Sequence, residues 1–457
     1  MATRLKTTKA PGSPARFSSD QATLRQIVDD ALKHARELGA TACEAEVSEG
    51  YGQTVTVRCG DVETIEYNRD KSLGVTTYLG KSRGHASTSD LSPAAMRATV
   101  AAALSIAKFT ASDEFSGLAD PELLAQDIPD LDLFHPWDLT VERAIELAQT
   151  CEAAAYAVDK RITNSEGATV STQQSNFAYG NSHGFIGGYP SSRHWISCAV
   201  IGGKDDNMQR DDWYSSARSA AEIDAPELIG RIAGERTLKR LGSRKIATVQ
   251  VPVLYEAPVA ATLLGHFVSA VSGGSLYRKS SFLVDSLGKA VFAPCTQIVD
   301  DPFIRRGLAS GPFDEEGVAT QRRAVVEDGV VKGYFLGSYA ARKLGLKSTG
   351  NAGGNHNLVL QDTGEDVAAL LRRMDRGLLV TELLGQGINM VTGDYSRGAA
   401  GFWVENGTIA YPVHEVTIAG NLKEMFKGIA AVGNDVLRRG SKHCGSVLIE
   451  RMTVAGD

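Results

Sequence analysis

The chain has 457 residues, 43% of them hydrophobic, enough for two domains with cores of their own. Its 48 Lys and Arg against 54 Asp and Glu give a net charge of −6, which argues against a general nucleic-acid binder and suits a soluble cytoplasmic protein. No apolar run approaches the roughly 18 residues of a membrane span, so no membrane association is expected.

Residues 1–20 carry Arg4, Lys6 and Lys9 among Pro and Ser, without the apolar segment of a secretory signal, and read as a disordered tail. Residues 22–38 place Leu24, Ile27, Val28 and Leu32 at helical spacing, with Gly39 as a stop. Three strands then follow: one ending at Cys59, one over 62–66 across a Gly60-Asp61 turn, and one over 73–79. Ser92-Pro93 opens an Ala-rich helix to about Lys108, and a further helix covers 141–156. Strand-like pieces lie near 168–172, 177–179 and 194–201, before a helix over 225–241. This mixture predicts an α+β domain over 21–242 with an antiparallel sheet.

A boundary falls at Leu241-Gly242-Ser243-Arg244, and 243–457 reads as a β-rich domain with a few helices. Residues 248–254 suggest a strand, and 256–271 a helix closed by a Ser272-Gly273-Gly274 bend. Asp328-Gly329 signals a hairpin. Strands are expected over 377–384, 401–404, 413–418 and 446–449, with a short helix over 425–432. The six cysteines, Cys43, Cys59, Cys151, Cys198, Cys295 and Cys444, form no C-x-x-C pair and no disulfide framework, which fits a reducing compartment.

Few residues suggest chemistry. Ala261-Thr262-Leu263-Leu264-Gly265-His266 has the outline of the zinc signature H-E-x-x-x-H with its first His and its Glu replaced. Ala binds no metal and Thr is no carboxylate base, while catalytic zinc needs three protein ligands and an open position. His266 is then either a leftover ligand or a histidine satisfied in a packed cleft. Cys444 is a possible ligand or nucleophile, or a structural thiol; its neighbour His443 diverges from it in a strand. Arg278 and Lys279, after Gly273 and Gly274, suggest an anion or peptide-carboxylate site, or a solvated basic turn. The loop Asn351, Gly353, Gly354 and His356 allows backbone to approach a bound chain. Tyr395 and Arg397 lie in a Gly-flanked segment, 393–398, that reads as a substrate wall or a pinned turn. Nucleotide-binding loops are absent from the sequence.

The segments "LLGHFVSAVSGGSLYRKSSFLVDSLGK", "GLASGPFDEEGVATQRR", "GYFLGSYAARKLGLKSTGNAGG", "LLVTELLGQGINMVTGDYSRGAAGFWVENG" and "VTIAGNL", with "SLGVTTYLGKSRGHASTSDLS" nearer the start, resemble the TldD/PmbA family of cytosolic metalloproteases, in its PmbA (TldE) branch. The resemblance spans about 25–457. It implies an α+β N-terminal domain and a β-rich C-terminal one. It also implies a two-chain protease acting on unfolded or small peptides, whose TldD-like subunit carries H-E-x-x-x-H and a later Cys that hold zinc. Carried over, Ala261 and Thr262 take the first His and the Glu, His266 the second His, and Cys444 the ligand Cys. The chain is therefore expected to be non-catalytic and without a metal of its own, zinc residing on the partner, with a homodimer possible in isolation. Two alternatives remain: a metallopeptidase using His266, Cys444 and His443, His356 or His414, and a peptide-binding module that does not cut.

Overall fold

A computed structural model describes residues 17–456. The expected tail lies outside the described residues over 1–16. Its last residues make specific contacts: Phe17 packs on Phe134, and Ser18 and Ser19 donate to the Glu49 carboxylate. Asp20 caps helix α1 (Gln21–Glu37), accepting from the Thr23 amide at 2.8 Å.

Strands β1 (Ala42–Arg58) and β2 (Asp61–Leu79) form one long hairpin whose turn residues Cys59 and Gly60 have φ of 54° and 84°. Then come β3 (Ser82–Thr88), α2 (Pro93–Phe109), α3 (Val141–Tyr156), β4 (Ile162–Asn181), β5 (Ile186–Gly202), β6 (Gln209–Ala217) and α4 (Pro226–Arg240). The separate short strands expected over 62–66 and 73–79 are one strand, β2, and those over 168–172 and 177–179 are one strand, β4. All of 61–72 is exposed, so the one-sided alternation that marks a half-buried strand is missing there.

The six strands make an antiparallel sheet in the order β3-β2-β1-β4-β5-β6. Ala45 and Val47 of β1 pack with α1 and α2, and Val55 and Val57 with α3 and α4. These positions are even numbers apart, so all four helices cover one face of the sheet. Glu44 and Glu46 take the other face, toward the second half of the chain.

That half contains β7 (Val249–Tyr255), α5 (Ala257–Ala270), α6 (Gly273–Tyr277), β8 (Ile298–Asp301), β9 (Arg323–Glu327), β10 (Val330–Val331), α7 (Ser338–Lys343) and β11 (Asn357–Leu360). It continues with α8 (Val367–Met374), β12 (Gly377–Leu384), β13 (Asp394–Glu405), β14 (Thr408–Asn421), α9 (Leu422–Lys427), β15 (Ile429–Val432), β16 (Lys442–His443) and β17 (Val447–Ala455). One sheet runs β14-β13-β12-β7-β17-β15, and β14 also pairs with β17, so five strands close a ring. The second sheet runs β10-β9-β8-β11-β16. A large apolar core built on Phe267, Tyr255, Phe292 and Phe426 joins α5 to both sheets. Two expectations change here. The segment 393–398 is the start of a strand, where alternate residues enter the core, and 425–432 splits into the end of α9 and all of β15.

Arginines tie the halves together. Arg236 on α4 grips Glu256 in two hydrogen bonds of 2.7 and 2.9 Å and reaches Asp211 at 3.1 Å. Arg342 on α7 donates to the carbonyls of Phe115, Gly117 and Leu118.

Candidate functional site

Helix α5 follows β7 directly, with Glu256 at the junction. The Glu256 carboxylate is taken by Arg236, so Ser446 serves the helix start instead, accepting from the Ala257 amide at 3.2 Å while Asp435 holds its hydroxyl. The helix is α-helical without a break through Ala261 and His266. At about 100° per residue, positions five apart point about 140° away from each other.

Each position of the degenerate signature has a packing role. Ala261 lies against the apolar core, and the Thr262 hydroxyl donates back to the Val259 carbonyl at 2.6 Å. Lys442 passes so close to Gly265 that its Cε lies 3.5 Å from where a Cβ would stand. The rings of His266 and Tyr395 meet edge to face at 6.0 Å. Arg397, two residues along β13 from Tyr395, is only 8% exposed and meets no carboxylate among the described residues. His266 Nε2, the Tyr395 hydroxyl and Arg397 Nε are all buried without a hydrogen bond of ordinary geometry. Burial, and then the Arg397 charge, push the His266 pKa down to about 4, so the imidazole is neutral at pH 7.

Cys444 is buried just beyond β16, its thiol 4.0 Å from the Ala257 carbonyl, and burial pushes its pKa up to about 12. It is a protonated thiol at neutral pH, neither a ready ligand nor a nucleophile. His443 Nε2 sits 3.1 Å from the Gly440 carbonyl. These donors do not fit zinc: among the described residues no three His, Cys, Asp or Glu side chains gather where they could hold a metal.

The remaining candidates divide. Gly273, Gly274, Asn351, Gly353 and Gly354 all line one cleft of about 1590 Å³ between the halves of the chain. Asn351 organises its loop, donating to Asp300 at 2.9 Å and to the Gly354 carbonyl at 3.0 Å and accepting from Arg323 at 2.9 Å. Gly353 and Gly354 have φ of 94° and 118°, which a side chain would strain. Asp314 pins the same loop by accepting from the Ala352 amide at 2.9 Å, and burial raises its pKa to about 7. His356 is outside the cleft and serves the loop, its backbone amide and Nδ1 both facing Asp300. Arg278 and Lys279 are exposed and outside the cleft. Arg278 folds back onto Tyr277, and the amide of Gly273 is used by the Phe335 carbonyl. Tyr395 and Arg397 belong to the α5 cluster.

The opposite wall of the cleft is the helix-free face of the first sheet, which the sequence did not single out. Glu44 accepts from the hydroxyls of Tyr78 at 3.0 Å and Tyr179 at 2.8 Å, and burial raises its pKa. Glu46 is raised as well, by burial and then by Glu315 and Glu44. The signal was there in alternation: Glu44 and Glu46 interrupt Cys43, Ala45 and Val47 on the other face of one strand.

The chain matches in succession domain 1 (residues 43–107), the central domain (134–241) and the C-terminal domain (248–456) of the PmbA/TldA metallopeptidases. It is 49% identical to the Metalloprotease PmbA of Escherichia coli O157:H7, over 94% of this chain and 97% of that protein. At 23% identity it is also similar to a Metalloprotease TldD homolog of Haemophilus influenzae, over 82% of both chains. The crystal structure of a putative modulator of DNA gyrase from Bacteroides thetaiotaomicron superposes with a TM-score of 0.90 at 26% identity, over 95% of this chain and 99% of that one. The chain belongs to the PmbA/TldD family of metalloproteases.

Proposed function

We propose that this chain is the non-catalytic subunit of a heteromeric, cytoplasmic zinc peptidase. It holds a flexible or small peptide in the cleft, and a TldD-like subunit carrying the zinc motif cuts it. The donor set of α5 carries this reading: Ala261 and Thr262, which the resemblance aligns with the ligand and the base, are packing residues, His266 is neutral and packed on Tyr395, and Cys444 is a buried thiol. Among the described residues no three His, Cys, Asp or Glu side chains gather here, and the carboxylate that acts on Cys444, Asp435, is engaged by the Ser446 amide and hydroxyl.

The cleft supports the peptide half of the reading. Its volume suits several residues of extended chain, and a glycine loop with positive φ lets a peptide backbone come close. Glu44, Glu46, Glu315 and Glu316 offer acceptors to amide N–H groups or to a peptide ammonium. The work of this chain's own residues is to bind and orient.

The test is native mass spectrometry of a tagged copy isolated gently from its host, with metal analysis and a peptidase assay of the lone chain. The expected result is a complex with a different chain, about one zinc per partner, and no peptidase activity in the lone chain with or without added zinc. A homo-oligomer holding stoichiometric zinc, with activity lost on His266→Ala or Cys444→Ala, overturns the proposal.

A further inference from the structure

The α5 cluster that does not fit zinc holds a positive charge that no described residue answers. At the start of β13, Asp394 and Ser396 are exposed, while Tyr395 and Arg397 alternate with them into the fold. The Arg397 guanidinium is 8% exposed, meets no carboxylate among the described residues, and leaves Nε buried without a hydrogen bond of ordinary geometry. Three ring side chains, Tyr255, Tyr395 and His266, feel its charge. A buried charge persists in a fold when it is paired or hydrogen-bonded. The carboxylates of the surrounding elements are engaged elsewhere: Asp394 is held by Thr392 and Asn421, Glu382 by Arg240, Glu256 by Arg236 and Asp435 by Ser446.

The groups beside the guanidinium are bare as well. The Tyr395 hydroxyl, on a side chain 1% exposed, and His266 Nε2 are both buried without a hydrogen bond of ordinary geometry. A phenol donates, and so does the Nε2–H tautomer of an imidazole. Further along the same face, Lys442 passes Gly265 and has no carboxylate partner among the described residues. The set therefore consists of donors and cations with no anion to receive them. It is also reachable: Ala261, Thr262, Gly265 and His266 are all half-buried, so the rest of the chain does not seal this side of α5.

We infer that Arg397, Tyr395 and His266 form a binding site for a carboxylate. The planar guanidinium matches the two oxygens of a carboxylate, and the phenol and imidazole N–H donate to the lone pairs that remain. Charge selects this class of ligand. One guanidinium beside a neutral imidazole balances a monoanion, whereas a phosphate dianion would leave charge uncompensated against the core residues Tyr255, Ile418 and Met452. Two sources supply such a group: a small free carboxylate, and the terminal carboxylate of a peptide. The first stands apart from the proposed function, and the second rests on its peptide half.

The test titrates the purified full chain at pH 7 with sodium acetate replacing sodium chloride at constant ionic strength, following the His266 imidazole signal and the melting temperature. The expected result is a saturable shift of that signal and a rise in melting temperature, with Arg397→Met weakening acetate at least about tenfold. Tyr395→Phe keeps the ring against His266 and removes only the hydroxyl, and should weaken acetate about threefold. A second arm uses tetra-alanine with a free or an amidated C-terminus. Binding of the free acid at least about tenfold tighter than the amide, lost in Arg397→Met, assigns the site to a peptide terminus. Equal behaviour of the two peptides beside a saturable acetate response assigns it to a small free carboxylate and leaves the proposed function as it stands. An acetate response that does not saturate by about 100 mM, or that both variants leave unchanged, overturns the inference.

Discussion

His266 and Tyr395 face each other edge to face, with ring centroids 6.0 Å apart, and neither the imidazole Nε2 nor the phenol makes a hydrogen bond of ordinary geometry. Arg397 shares the face of β13 with Tyr395 and brings a positive charge beside both. The α5 cluster thus sets a guanidinium beside a neutral histidine. A cation there opposes a second cation at the same spot. On the proposed reading, the cluster therefore works against metal capture.

Arg397→Met tests this electrostatic relationship. Removing a buried cation that meets no carboxylate is expected to leave the lone chain as stable or more stable, by roughly 1 kcal/mol. The His266 pKa should rise, since one cause of its depression is gone, but should stay below 6.5 because burial is the larger cause. Chemical denaturation gives the first result. The imidazole proton shifts give the second, with the His266 signal assigned by its loss in His266→Gln. A His266 pKa unmoved by Arg397→Met would show that the two side chains are not coupled.

His266 also sets an acid limit on stability. Its pKa in the fold, about 4, lies below the ordinary 6.5, so between these values the unfolded chain binds the proton and the fold does not. The stabilising contribution is present above pH 6.5 and is lost as pH falls toward 4. Allowing for the partial exposure of the ring, it amounts to at most about 2 kcal/mol. His266→Gln should flatten the fall in unfolding free energy over this window and leave the slope above pH 7 unchanged. Urea unfolding at a series of pH values measures it.

The parts of the molecule legible in the sequence were those where local chemistry and tertiary packing agree. Helix α3 is marked at both ends by sequence alone, and Ser92-Pro93 opens α2 as read, the serine hydroxyl accepting from the Ala95 amide. The strands were harder. The outer half of β2 has neither face buried, and the first residues of β13 looked like a turn because glycines flank them. The glycines at 393 and 398 do different jobs: Gly393 has a φ of 87° and ends a turn, while Gly398 lies within β13 against Leu384. The cleft was half legible. Its glycine loop is unusual in composition, but its acidic wall comes from β1, about 300 residues earlier, and meets the loop only in the fold.

Restoring the signature residues should not restore a metal centre. In an unbroken α5, a histidine at 261 points about 140° away from His266, and Cys444 stays a buried thiol near the helix start. Ala261→His with Thr262→Glu is expected to bind no stoichiometric zinc in a competition titration with a chromogenic chelator, and to show no peptidase activity. Ala261 also packs against the core, so the larger side chain should cost stability, about 1–3 kcal/mol by overpacking. One zinc per chain in the folded double variant would mean that α5 readily shifts register to bring the two histidines together.

The glycine loop offers the most direct test of the cleft. Gly353 has a φ of 94°, and a Cβ there would stand 2.6 Å from Glu315 Oε1. Gly353→Ala therefore strains the backbone and displaces a cleft carboxylate at once, at a cost of about 1–3 kcal/mol spent locally. Gly364 is a fair control, because it too has a positive φ, 88°, but a Cβ there meets nothing within 4 Å and the residue lies outside the cleft. If the cleft holds peptide, Gly353→Ala should weaken the binding of a flexible peptide at least tenfold in calorimetric titration of the assembled complex. Gly364→Ala should lower the melting temperature similarly and leave the affinity alone. Equal affinity in both variants would take the glycine loop out of the binding surface and leave it as a packing element held by Asn351 and Asp314.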